Sequence, residues 1–228
     1  MKVIIYAEKE FNGDFSKMAL GVLRFGSYDV VGVIDSKLKG KTVQDIYSFL
    51  PNPVPIFSSV EETLKLKPEA LIIGIAPKGG GLPEAWRSDL AFAIESGLDI
   101  YSGLHFMFKN DLEFSTLAMR HNIKLWDVRD VPTELPVGAG RVLSLDAKII
   151  LTVGTDCKIG KMTAAILMEE EMKKRGLRTA FIPTGQIGIL IKGYGLSIDR
   201  VIGDFMAGAT EQLILDHGKG ADYIFVEG

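Results

Sequence analysis

Lys148 to Thr163 reads K-I-I-L-T-V-G-T-D-C-K-I-G-K-M-T. Ile149 to Val153 is a short apolar, β-branched run that predicts a buried strand, and Gly154 opens a polar loop that closes on Gly160 and Lys161. A helix is expected next. Met162, Ile166, Leu167 and Met172 offer it an apolar face, Glu169 to Glu171 a solvated one, and Lys173, Lys174, Arg175 and Gly176 a C-terminal signature. Strand, glycine-bounded loop, lysine and helix together make a phosphate cradle: backbone N–H groups and the helix N-terminus face the anion, and the lysine adds a full charge. Gly154, Thr155, Asp156, Lys158, Gly160, Lys161, Met162 and Thr163 are therefore candidate phosphate-binding residues.

This loop departs from the usual P-loop pattern in two places. Five residues, where four are usual, separate Gly154 from Gly160, and Met162 stands where a Mg²⁺-binding Ser or Thr is expected. Thr163 is the nearest hydroxyl, and Thr163 and Asp156 are the loop's candidate metal contacts. Cys157 lies beside Lys158 near a helix N-terminus, a setting that lowers a thiol's pKa. With no histidine paired to it, a small loop residue is the expected role.

Composition excludes several function classes. The 228 residues are 47% hydrophobic and 24% charged, which describes a globular chain long enough for two modest domains. No window resembles a membrane span, and Met1 to Tyr6 runs too quickly into Glu8-Lys9-Glu10 to be a signal peptide, so the cytoplasm is expected. One cysteine excludes an intrachain disulfide, and His105, His121 and His217 show no metal-ligand spacing. The net charge of −3, without a basic run, makes nucleic acid a poor partner.

The first half alternates strand and helix signals. Strands are expected at Val3 to Tyr6, Val30 to Ile34, Val54 to Phe57, Leu71 to Ile75, Ile100 to Tyr101 and Lys124 to Trp126. Helices are expected over Phe15 to Leu23, from Ser58/Ser59 through about Leu66, over Asp89 to Glu95 and over Ser115 to Arg120. This predicts a Rossmann-like parallel sheet over residues 1–135. Its first turn, Ala7 to Gly13, lacks the dinucleotide glycine pattern, which disfavours classical NAD binding. Asp35, at the end of the second strand, is either a ribose ligand or a turn residue. Ala76-Pro77-Lys78-Gly79-Gly80-Gly81 either wraps an anion or forms a flexible connection.

Asp130 to Gly140 carries two prolines and two glycines and has the composition of a linker or hinge. Residues 141–228 then read as a P-loop NTPase-like α/β domain. Thr179 to Ile182 predicts a strand that ends in a polar glycine loop, Pro183 to Gly188, on the same edge as the P-loop if the strands are parallel. Val201 to Asp204 leads into a helix through Leu215, and Tyr223 to Val226 is a third strand ending in Glu227-Gly228. An acid in Glu227's position commonly holds Mg²⁺ directly or through water. Asp204 is a candidate metal or amine-binding group or the cap of its helix. Thr184 and Gln186 are candidate cofactor contacts; Gln186 either reads a substrate carboxylate or closes a turn.

Gly154 to Thr163 resembles the five-spaced P-loop of dethiobiotin synthetase and its relatives, and Val226-Glu227-Gly228 is similar to their acid-bearing strand. A resemblance spanning nearly the whole chain is to the D-glutamate N-acetyltransferase-like family, long described only as a domain of unknown function. It is carried by Gly74 to Gly80, the P-loop, Pro183 to Gly188, Asp204 to Ala209 and Val226 to Gly228. That resemblance implies an N-terminal Rossmann-like domain with a C-terminal P-loop domain, and transfer of acetyl from acetyl-CoA to the amino group of a D-amino acid such as D-glutamate. The phosphates of coenzyme A suit a P-loop as well as those of ATP do. Acyl transfer needs a base for the amine and donors for the oxyanion. Asp204 or Glu227 is the candidate base, and Lys161 or loop N–H groups are the candidate donors.

Two other function classes fit the same loop. One is an ATP- and Mg²⁺-dependent carboxylate ligase resembling dethiobiotin synthetase, against which Met162 argues; the other is a non-catalytic nucleotide sensor. Because the chain stops just after the third strand of its second domain, it is expected to be a fragment truncated at its C-terminus. Self-association into a homo-oligomer is compatible with the apolar content and modest charge.

Overall fold

Lys2–Tyr6 forms strand β1, whose Val3, Ile4, Ile5 and Tyr6 are wholly buried, as a β-branched run must be when both sheet faces are covered. The computed structural model describes residues 1–156 and 159–228, which divide into two units, Met1–Arg129 and Asp130–Gly228.

In the first unit β1 is followed by α1 (Lys17–Phe25), β2 (Asp29–Ile34), α2 (Val43–Ile46), β3 (Ile56–Phe57), α3 (Val60–Thr63), β4 (Ala70–Ile73), α4 (Arg87–Glu95), β5 (Asp99–Ser102), α5 (Leu112–His121) and β6 (Leu125–Asp127). All pairings are parallel and the strand order is β3-β2-β1-β4-β5-β6, the order of a doubly wound Rossmann sheet. The expected strands are all present. α5 starts three residues earlier than expected because Asp111 caps it, its carboxylate accepting from the Glu113 and Phe114 N–H groups. Gly74 sets how closely α1 lies on the sheet: a Cβ there would fall 2.3 Å from Ile5 Cγ2 and 2.9 Å from Ala19 Cβ.

In the second unit the order is β7 (Lys148–Leu151), α6 (Lys161–Lys174), β8 (Thr179–Ile182), α7 (Gln186–Lys192), α8 (Gly203–His217) and β9 (Tyr223–Val226). The strands pair in parallel in the order β7-β9-β8. α6 packs on β8 and β9, and Ile214 of α8 joins Ile182, Ile224 and Val226 in an apolar cluster. Each such fully buried side chain contributes about 1.5–3 kcal/mol.

Three expectations for this unit are corrected. β7 ends at Leu151 and is not buried: Ile149 is 40% and Leu151 54% exposed, since β7 is an edge strand with only β9 beside it among the described residues. The expected loop Pro183 to Gly188 stops at Gly185, and Gln186 begins α7. The face of α6 read as solvated contains Glu169, which is 2% exposed, whereas Leu167 from the expected apolar face is 42% exposed. Glu169 tolerates burial because Lys173 Nζ at 2.7 Å and Lys192 Nζ at 2.8 Å both donate to it.

The proline- and glycine-rich segment before β7 is docked on α8. Val131 and Leu135 pack against Leu196, Val201 and Ala209. Ala139 N–H and Arg141 Nε both donate to the buried Glu211 carboxylate, at 3.1 and 2.9 Å. Burial opposes the ionisation of Glu211, but these donors outweigh it and hold the carboxyl below its usual range. Among the described residues, no helix is long and apolar enough to cross a membrane.

Candidate functional site

Because β7, β8 and β9 are parallel, the loops after them leave the sheet at one edge. The P-loop follows β7, Pro183–Gly185 follows β8, and Glu227 follows β9. Open α/β sheets bind ligands outside the carboxyl ends of their strands, so this edge is the place to look.

Gly160 is the N-cap of α6 at φ +101°, a backbone state that favours glycine, and it contributes no side-chain cap. The first-turn N–H groups of Lys161, Met162 and Thr163 are thus left to an external acceptor, with the positive end of a 14-residue helix behind them. Among the described residues nothing lies within 4 Å of where a Cβ on Gly160 would be, so none of them blocks close approach of a ligand to the backbone. Lys161 folds back over the loop: its Nζ donates to the Asp156 carbonyl at 3.2 Å, and its Cδ lies 3.2 Å from the Cβ position of Gly154. Gly154, Thr155 and Asp156 are exposed, and Met162 and Thr163 are half-buried. Of the expected ligands, Lys158 falls outside the described residues, as does Cys157.

Glu227 is half-buried and fixed from the neighbouring loop. Its Oε2 accepts from the Thr184 N–H at 3.1 Å and the Gly185 N–H at 3.2 Å, while the Thr184 hydroxyl donates to the Glu227 carbonyl at 2.7 Å. Burial pushes the Glu227 carboxyl up; the two N–H groups and the charge of Lys161 pull it back without cancelling the rise. A carboxylate raised in this way is better able to take a proton from a substrate.

The structure therefore brings together Lys161, Thr184 and Glu227 from three different segments. Gln186, half-buried, opens α7 one residue beyond Gly185. Asp204 is exposed in the first turn of α8, inside the helix and not its cap, and among the described residues shares no hydrogen bond with Lys161 or Glu227. Met206 and Ala207, two and three residues further on, line an open apolar cleft of about 570 Å³. No group of three or more His, Cys, Asp or Glu side chains among the described residues is arranged to hold a metal. Mg²⁺ needs no such group, since it binds through one or two carboxylates plus phosphate oxygens.

Two residues missed as site residues are Gly185 and Gly188. A Cβ on Gly185 would lie 2.9 Å from Glu227 Oε1, and one on Gly188 would lie 2.6 Å from Oε2. The G-Q-I-G spacing was the available signal, and it reads as a loop when Glu227 is not known to sit against it.

The edge of the first unit has closed its own crevice. Asp35, the possible ribose ligand, is wholly buried and accepts from the Phe11 N–H and the Lys37 N–H, both at 3.0 Å, which assigns it the turn role. The Ala19 N–H, in the first turn of α1 where a pyrophosphate would bind, donates to the Gly74 carbonyl at 2.7 Å. In the glycine loop Gly79 and Gly80 have positive φ, and the Gly80 carbonyl accepts from the His105 N–H at 2.8 Å, so the loop is ordered by local contacts.

Residues 36–131 match a family model described as the Domain of unknown function (DUF1611_N) Rossmann-like domain, and residues 136–228 match the Domain of unknown function (DUF1611_C) P-loop domain. The chain belongs to the DUF1611 family. Two similar relatives, from Pseudoalteromonas sp and Tritonibacter scottomollicae, are each named D-glutamate N-acetyltransferase. The first is 41% identical over 158 residues, 69% of this chain and 47% of that protein; the second is 39% identical over 159 residues, 70% and 47%. The chain thus spans about half the length of these curated relatives. A crystal structure of a DUF1611 family protein from Anabaena variabilis is similar with a TM-score of 0.93 and 37% identity, over 100% of this chain and 66% of that one.

Proposed function

We propose that this protein is an N-acetyltransferase that moves an acetyl group from acetyl-CoA to the amino group of a D-amino acid, with D-glutamate the first substrate to try. The observation that carries the reading is the meeting, at one sheet edge, of an uncapped helix N-terminus with its lysine and a half-buried, raised carboxylate, Glu227. The names of the two relatives support the same reaction class.

In this reading acetyl-CoA is a substrate that supplies an activated thioester. The N–H groups of the α6 first turn and Lys161 hold phosphate oxygens of its coenzyme A moiety. Glu227 Oε1 accepts the proton of the attacking amine as the new N–C bond forms and the C–S bond breaks, and the departing thiolate is protonated to coenzyme A. Loop N–H groups steady the negative charge that develops on the acetyl oxygen. The amino acid is the partner, and no nucleic acid or membrane enters the reaction.

Isothermal titration of the protein with acetyl-CoA, and separately with Mg·ATP, tests the reading, each repeated on Lys161→Ala. Loss of a charge-assisted phosphate contact worth about 1.5–3 kcal/mol weakens acetyl-CoA binding roughly 10- to 100-fold. Binding of Mg·ATP alone, without acetyl-CoA, overturns the reading in favour of the ligase or nucleotide sensor.

A further inference from the structure

We infer that Gly185 is a positioning and specificity-determining residue: it anchors one oxygen of Glu227 and, by lacking a side chain, leaves beside the other the space that the substrate's amine occupies. The inference rests on the acetyltransferase reading and extends it to the acceptor side of the site.

The two carboxylate oxygens are treated differently. Oε2 takes both backbone hydrogen bonds, from Thr184 and Gly185, and Oε1 takes none from any described residue. An anchored oxygen fixes the plane of the carboxylate, so the lone pairs of Oε1 have a set direction. Gly185 lies beside Oε1. The three atoms nearest to a Cβ built there all belong to this carboxylate, at 2.9 Å (Oε1), 3.5 Å (Cδ) and 3.6 Å (Oε2). A methyl at 2.9 Å from Oε1 occupies hydrogen-bond distance, which is where an amine donor has to be.

The glycine is not explained by the backbone. Gly185 has φ −127° and ψ 156°, an extended conformation open to any residue, and α7 begins after it without a side-chain cap. An N-cap position accepts glycine as well as Ser, Thr, Asp or Asn, and disfavours alanine. Helix entry alone would accept a capping side chain as readily as glycine, and the contact with Glu227 admits one only if the carboxylate shifts. Gly188 does not isolate this effect, since a Cβ there also lies 2.8 Å from Pro183 Cβ.

The test compares wild type, Gly185→Ala, Glu227→Asp and the double variant, measuring D-glutamate and acetyl-CoA binding by titration, steady-state acetylation and the unfolding midpoint. Gly185→Ala is expected to lower the unfolding midpoint only slightly, as alanine is a poorer N-cap than glycine, and to keep its acetyl-CoA affinity while KM for D-glutamate rises about tenfold or more. Because the shorter aspartate relieves the contact, the double variant is expected to lose less than the sum of the two single losses. Wild-type turnover with an unchanged D-glutamate KM in Gly185→Ala, or strictly additive losses, overturns this inference alone. D-Glutamate binding that Gly185→Ala weakens, in a wild type that transfers no acetyl group, overturns the acetyltransferase reading alone. Neither binding nor turnover in wild type overturns both.

Discussion

Thr184 grips Glu227 twice, its N–H donating to the carboxylate at 3.1 Å and its hydroxyl to the main-chain carbonyl at 2.7 Å. The first bond orients the side chain and the second ties the end of β9 to the loop after β8. The candidate base is therefore held by the backbone of a neighbouring strand, which fixes it more firmly than a flexible side-chain partner would.

Thr184→Val keeps the backbone bond and removes the second. Thr184 is 7% exposed, so the Glu227 carbonyl loses its partner in a site with little water to replace it. The expected cost is about 1–2 kcal/mol of stability, with Thr184→Ser close to wild type. Urea unfolding of the two variants checks this, and a Val variant as stable as the Ser variant would show that the hydroxyl contributes nothing.

Glu169 makes a stronger demand. It is the acceptor for Lys173 and Lys192 with a side chain only 3% exposed, so removing it strands Lys192, itself 23% exposed, over the Phe181 ring. Breaking a buried pair by deleting one partner costs about 3–5 kcal/mol, and Glu169→Ala is expected at the lower end because Lys173 can turn to solvent. Lys173→Ala is expected to cost under about 1 kcal/mol, as for a surface pair. Equal costs for the two would mean that burial of Glu169 is not what makes it important.

Asp111 offers a pH test. Arg87 grips its carboxylate with Nη1 and Nη2 at 3.0 and 2.9 Å and also holds Glu113, and this pairing, chiefly the Arg87 bonds, keeps the Asp111 carboxyl below its usual range. A carboxyl lowered on folding adds stability above its unfolded pKa, near 3.9, and loses it as pH falls through the folded value. Asp111→Asn keeps the helix cap and loses the pair. It is expected to be destabilised by about 1 kcal/mol at neutral pH, allowing for solvent screening, with the difference from wild type fading below about pH 4. Unfolding curves at pH 7 and pH 3 decide it; a constant difference would assign the loss to packing.

Much of the fold can be read from residue order. β8 and β9 lie where the apolar runs Thr179–Ile182 and Tyr223–Val226 place them, and the phosphate loop follows from glycine, lysine and helix spacing. What could not be read depends on partners distant in sequence. An edge strand such as β7 and a central one show the same apolar run, because the pattern does not say how many neighbours a strand has. Glu169 reads as solvated until Lys192, 23 positions on, is known to meet it. Gly188 weakens the helix signal of α7 because glycine inside a helix costs about 1 kcal/mol, and with Gly185 just before it the segment reads as loop. Both lie against Glu227, 42 and 39 positions away, and local pattern holds no record of that.

Gly208 and Gly203, both in α8, are expected to respond in opposite directions to the same substitution. Neither has a positive φ, so backbone conformation favours alanine at both, by about 0.5–1 kcal/mol for glycine inside a helix. At Gly203 a Cβ meets none of the described residues within 4 Å, and Gly203→Ala is expected to be neutral or slightly stabilising. At Gly208 the Cβ would lie 2.0 Å from the Pro136 carbonyl oxygen and 2.5 Å from the Val137 carbonyl carbon, backbone atoms that cannot rotate away. Relief requires the 136–138 segment to lift off α8, which strains the Ala139 and Arg141 bonds to Glu211. The overpacking cost of about 1–3 kcal/mol then exceeds the helix gain, and Gly208→Ala is expected to lower the unfolding midpoint while Gly203→Ala holds or raises it. A Gly208→Ala protein as stable as Gly203→Ala would mean that the proline-rich segment does not cross α8 at that glycine.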